Sequence, residues 1–98
     1  MKVTFQRGEN EITLKIVGRI DTITAPDLEE IINDDIEGTE KLILDIEEVE
    51  YISSAGLRVL LAAQKKMDKL GSMKVINVRE EVMEVFELTS FTDILTIE

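Results

Sequence analysis

The stretch KLILDIEEVEYISSAGLRVLLAAQKKMDKLGSMKVINV, residues 41–78, decides how this chain folds. Its first six residues, 41–46, form a mostly apolar run of the kind found in a well-buried strand. The acidic segment Glu47-Glu48-Val49-Glu50 reads as a loop. At Ser53 and Ser54 the pattern changes period. Leu57, Leu60, Leu61, Met67 and Leu70 then fall on one face of a helix. Either serine supplies an N-cap. Lys65, Lys66 and Lys69 sit at the negative end of the dipole, and Gly71 terminates the helix. A second apolar strand follows at 73–78. Strand, helix and strand of these lengths predict a parallel pair joined by a right-handed crossover.

The pattern extends in both directions. Upstream, 3–7 and 11–17 read as strands joined by a hairpin turn at Gly8-Glu9-Asn10. Ile12, Leu14 and Ile16 alternate onto one face, and Gly18-Arg19-Ile20-Asp21 ends the second strand. Thr24-Ala25-Pro26-Asp27 opens a helix, with Thr24 as its cap and Leu28, Ile31, Ile32 and Ile36 inward, stopping near Gly38. Downstream, 80–88 is a helix with Val82, Val85 and Phe86 inward, and 95–98 is a last short strand. The expected fold is one α/β domain over 1–98, in the order β-β-α-β-α-β-α-β. Its single mixed sheet is mostly parallel. The sequence leaves open whether the three helices cover one face or both.

Composition narrows the function. The 98 residues carry 11 basic and 21 acidic side chains, a net charge of −10. Such a balance disfavours nucleic acid and anionic membrane as partners, because both require Lys and Arg. There is no Cys and no His, which removes disulfides, thiolate metal sites, imidazole bases and Ser-His-Asp chemistry. The N-terminal ten residues lack an apolar signal-like core, and the expected location is the cytoplasm. Aromatic residues are only 4% of the chain, so Ile, Leu and Val must fill the core. Asp45, Glu47 and Glu48 lack the spacing of a cation loop and read as solvated. Glu80, Glu81, Glu84 and Glu87 read as a solvated helix face, and Met67 and Met73 as core.

The two serines admit several roles. As a hydrolase nucleophile Ser54 lacks support, since Ile52 breaks G-x-S-x-G and the chain has no His to take the proton. The turn offers free backbone N–H groups at 54–57, yet it has neither a Walker-type motif nor a lysine. A plain N-cap is the commonest role of a serine before a helix, worth about 1 kcal/mol. Two features raise a phosphoacceptor as an alternative to the cap. The serine is doubled where one cap suffices, and the small Ala55 and Gly56 leave the helix start open.

At this point the chain resembles a family. Y-I-S-S-A-G-L-R-V-L-L, residues 51–61, resembles the signature of STAS-domain anti-sigma factor antagonists: an apolar pair, Asp or Ser, Ser, a small residue, then Gly-Leu. G-R-I-D at 18–21 is similar to the family's Gly-x-apolar-Asp, and K-L-I-L-D-I at 41–46 to its central strand. The resemblance covers nearly the whole chain. It implies a bacterial phosphoprotein that regulates transcription by partner switching. Unmodified, it binds an anti-sigma factor that is also a serine kinase, and a sigma factor is freed. Phosphorylation of Ser54 (Ser53 being second choice) ends binding, and a PP2C-like phosphatase restores it. The implied docking residues are Asp21, Thr22, Ser53, Ser54, Ala55, Gly56, Leu57 and Arg58. No cofactor is expected in this chain, since ATP and Mg²⁺ belong to the kinase. The expected state is a monomer or weak dimer. Three positions depart from the family pattern: Ser53 replaces its usual Asp, Ala55 its usual Ser or Thr, and Arg58 its usual Gly. The rival roles are a STAS subunit of a stress-sensing or transporter complex without a phosphoswitch, and a small serine enzyme.

Overall fold

The computed structural model describes all residues, Met1–Glu98. Seven elements form the body: β1 (Lys2–Gly8), β2 (Glu11–Ile20), α1 (Ala25–Asp35), β3 (Lys41–Ile52), α2 (Ser54–Leu70), β4 (Ser72–Ile76) and α3 (Glu80–Leu88). A 3-10 turn, Phe91–Asp93, follows. The sheet order is β1-β2-β3-β4. The hairpin pair β1/β2 is antiparallel, and β2/β3 and β3/β4 are parallel.

Register sorts the side chains by face. Ile12 pairs with Leu42 and Leu14 with Leu44, while Met73 and Val75 sit beside Leu42 and Leu44 on the other side. These six are buried beneath the helices together with Leu28, Ile32, Leu60, Met67, Val82 and Phe86. On the opposite face, Thr13, Lys15, Val17, Ile43, Asp45, Lys74 and Ile76 are only half-buried. The helices therefore form one layer on one side, which resolves the choice the sequence left open.

β3 is twice as long as its apolar run predicts. Lys15 pairs with Asp45 but Val17 with Glu48, and Gly18 pairs with Val49 but Arg19 with Tyr51. Each shift is a bulge that inserts one extra residue into β3. Inward residues then recur at intervals of three, at Ile46, Val49 and Ile52, with Glu47, Glu48 and Glu50 facing out. The segment expected to be an acidic loop is thus a bulged strand whose period no longer alternates. β2 likewise runs on to Ile20, beyond its expected end, through Gly18 at φ 111°.

Other differences are smaller. The inward face of α2 is centred on Gly56, Leu60, Ala63 and Met67, which leaves Leu61 half-buried and Leu70 exposed. β4 stops at Ile76 because Asn77 takes a left-handed φ of 57°. The expected last strand is reduced to one bridge. Leu95 turns into the core, and only residues 96–98 reach β4, where the Val75 N–H donates to Thr96 O and the Glu98 N–H to Val75 O.

Candidate functional site

The parallel strands β2 and β3 end side by side at Ile20 and Ile52, and α2 starts directly above them. The Ser53 N–H donates to Ile20 O at 2.8 Å, locking the chain to β2 just before it turns. Ser53 has extended backbone, φ −91° and ψ 173°, and its hydroxyl accepts from the Gly56 N–H at 3.3 Å. It is the N-cap of α2. Gly56 follows where only glycine fits. A Cβ there would lie 2.7 Å from both Ile20 Cγ2 and Ile52 Cγ1. The helix start therefore rests directly on the strand ends.

Ser54 is the first helical residue and is exposed. Its hydroxyl makes no hydrogen bond within the chain. The Ser54 and Ala55 amides precede any carbonyl that an intrahelical bond would use, and they point out along the positive end of the dipole. Arg58, one turn further, is exposed and unpaired by any carboxylate.

The turn before α1 forms the neighbouring wall. Asp21 Oδ1 accepts from the N–H groups of Ile23 and Thr24, both at 3.0 Å, and the Asp21 N–H donates to Thr24 Oγ1 at 2.9 Å. This reciprocal arrangement is that of a capping box, with Asp21 in the capping role. The Ala25 N–H donates to Asp21 O at 2.8 Å, continuing the turn into α1. Thr24, the expected cap, already has helical backbone and makes no cap bond; its hydroxyl donates back to Arg19 O at 2.8 Å. The Thr24 N–H bond, foremost, holds the Asp21 carboxyl below the ordinary aspartate value of 3.8, with partial desolvation opposing it. Arg19 supports this from behind. Its guanidinium lies 3.7 Å from Asp21 Oδ2 and 4.2 Å from the centroid of the Tyr51 ring.

Between the two helix starts lies an open groove of about 250 Å³, lined by Thr22, Ala25, Pro26, Glu29, Ala55, Arg58 and Val59. Of the eight docking residues implied by the sequence, Thr22, Ser54 and Arg58 are exposed, and Asp21, Ser53 and Ala55 are half-buried. Gly56 and Leu57 are buried among the strand ends and the core, so they position the surface from beneath and do not form part of it.

Sequence reading passed over three residues here: Arg19 and Tyr51, which brace Asp21, and Ile23, which is 82% exposed. A β-branched apolar residue between two threonines, at a turn with no strand or helix to bury it, was the available signal for Ile23.

No helix of the structure is long and apolar enough to cross a membrane. Residues 2–98 match the STAS domain family. The anti-sigma-B factor antagonist of Bacillus subtilis (strain 168) is 33% identical over 98 residues, which span 99% of this chain and 90% of the relative. An anti-sigma factor antagonist from Mycobacterium paratuberculosis superposes with a TM-score of 0.89 at 24% identity, over 98% of this chain and 83% of that one. SpoIIAA of Bacillus, an anti-sigma factor antagonist solved in unphosphorylated and phosphorylated forms, superposes with a TM-score of 0.77 at 13% identity. The superposition covers 99% of this chain and 87% or 91% of SpoIIAA. The match over 2–98, and a curated relative aligned along almost the full chain, show that this chain belongs to the STAS domain family.

Proposed function

We propose that this STAS domain is an anti-sigma factor antagonist, a binding module switched by a phosphate on Ser54. In the unmodified state the α2 start, the Asp21–Thr24 turn and the groove between them dock onto an anti-sigma factor that is also a serine kinase, and a sigma factor is released. The kinase transfers the γ-phosphoryl of its ATP to Ser54 Oγ, with loss of the hydroxyl proton and departure of ADP. A PP2C-like phosphatase hydrolyses the ester and restores binding. ATP and Mg²⁺ reside in the kinase, and the exchange takes place in the cytoplasm.

One observation carries this reading: Ser54 offers an exposed hydroxyl with no internal partner at the first position of α2, beside a capping serine whose hydroxyl is already committed. The naming of the B. subtilis relative supports the role, and the two solved forms of SpoIIAA show that the fold accommodates a phosphorylated state in that protein. Phosphoserine brings a charge of about −1.5 to −2 and a firmly held hydration shell. Placed against a partner without matching cations it opposes docking by several kcal/mol.

The test uses the anti-sigma factor kinase captured with the chain from its source cells. Affinity is measured for the unmodified chain, the chain phosphorylated on Ser54 and Ser54→Ala, with far-UV circular dichroism of each. Phosphorylation is expected to weaken binding at least ~100-fold while leaving the spectrum unchanged. Ser54→Ala is expected to bind and to accept no phosphate. Equal affinity before and after phosphorylation refutes the switch.

A further inference from the structure

The Asp21–Thr24 turn is internally satisfied to an unusual degree. The Asp21 carboxylate takes two backbone N–H groups and the Asp21 N–H has Thr24 Oγ1. The Thr24 hydroxyl reaches Arg19 O, and Arg19 is itself held over Tyr51. Four residues are thus fixed in one conformation, and the Ile23 N–H is among the donors consumed. What this rigid turn offers outward is the Ile23 side chain, 82% exposed. Nothing in the chain is stabilised by leaving an isoleucine there. Thr22, its neighbour toward β2, and Pro26, three residues on toward α1, line the groove that runs to Ala55 and Arg58. The apolar tip therefore adjoins, through Thr22, a groove whose other wall (Ala55, Arg58 and Val59) follows Ser54 in α2.

From this we infer that Ile23 is the apolar anchor and a specificity residue of the docking surface, seated in an apolar pocket of the anti-sigma factor. The inference rests on the function proposed above. The pocket's rim carries cations, because the chain around Ile23 is acidic, with Asp21, Asp27, Glu29 and Glu30 against Arg19, already engaged by Asp21 and Tyr51, and Arg58 of the groove, within a chain of net charge −10. An anchor held in place before contact loses little conformational entropy on binding, the property that makes central interface residues dominate affinity. A single exposed isoleucine transferred into a partner is worth a factor of about 10–100 in affinity.

Leu88, at the end of α3, supplies the control. It is 86% exposed and lies outside the turn and groove. Affinity for the purified anti-sigma factor kinase is measured by calorimetric titration for the unsubstituted chain, Ile23→Thr and Leu88→Thr, with the thermal midpoint of each. The expected result is an Ile23→Thr affinity ~10- to 100-fold lower, an unchanged Leu88→Thr affinity, and a midpoint for Ile23→Thr equal to that of the parent. If the parent and Ile23→Thr bind within twofold of one another, the anchor is refuted while the Ser54 switch stands. If both variants weaken equally, the anchor is likewise refuted. If the parent does not bind, the proposed function fails and the anchor with it.

Discussion

Gly56→Ala tests how the site is held. The new Cβ would lie 2.7 Å from Ile20 Cγ2, 2.7 Å from Ile52 Cγ1 and 3.1 Å from Ile20 O. Neither isoleucine has room to retreat, since Ile20 is fully buried and Ile52 nearly so, and both are β-branched and stiff about χ1. The carbonyl belongs to the strand backbone, and the same oxygen accepts the Ser53 N–H. Relief must come from lifting the first turn of α2 off the strand ends. Overpacking of this kind costs about 1–3 kcal/mol. Replacing glycine within a helix returns up to about 1 kcal/mol, and less in the first turn. The net loss is about 1–2 kcal/mol, which lowers the melting temperature of a domain this size by roughly 4–16 °C. Thermal denaturation followed by circular dichroism measures it. A melting temperature at or above that of the parent would show that the helix start does not bear on Ile20 and Ile52, and the positioning role of Gly56 would fall.

Two further outcomes follow from the same geometry. Ser53→Ala removes the cap and is expected to lose about 1 kcal/mol, whereas Ser54→Ala should stay within ~0.5 kcal/mol of the parent; equal losses in urea denaturation would refute the division of labour between the serines. The Asp21 carboxyl is held below its ordinary value, so its stabilising contribution is full above pH 3.8 and fades as the pH falls through its lower folded-state value. The stability gap between the parent and Asp21→Asn should therefore be constant from neutrality down to the ordinary aspartate range and shrink below it; a gap that does not narrow in acid contradicts the assignment.

What the sequence made legible was whatever kept a regular period. The alternation of Ile12, Leu14 and Ile16, and the helical spacing of Leu57, Leu60 and Met67, report burial directly, and all six are buried. The 47–52 segment hid its strand because two bulges reset the inward period to three, a spacing that reads as neither strand nor helix. Thr24 holds the N-cap position of α1, as its sequence suggests, but the capping carboxylate comes from Asp21, since both residues are good capping types. Only their reciprocal bonds show which one caps. At the candidate site, motif resemblance singled out Ser54, which the structure shows exposed, but could not separate the residues that face out from those buried beneath them. Gly56 and Leu57 belong to the second group because α2 meets the sheet at their positions, a fact of packing that no local pattern encodes. Ile23 was invisible for the converse reason, since exposure of an apolar residue depends on what fails to cover it.

That separation between inward and outward groups determines how a phosphate on Ser54 can act. The contacts that fix α2 are the Ser53 cap, the Ser53 N–H to Ile20 O, and Gly56 against Ile20 and Ile52. None of them involves the Ser54 side chain. A phosphate there would meet two uncommitted amides and the positive end of a 17-residue helix, a favourable setting worth about 0.3–1 kcal/mol. Opposing it is the repulsion of an acidic chain, attenuated by salt over about 8 Å. If Ser54 is the phosphoacceptor proposed above, the modification is expected to leave the fold near its starting stability, with its energetic weight falling on whatever docks against the helix start. On Ser53 the same group would displace the bond to the Gly56 N–H and force a half-buried position open. Two adjacent serines of identical chemistry are thereby given different fates by one residue's difference in helix position: one holds the surface, and the other is free to change it.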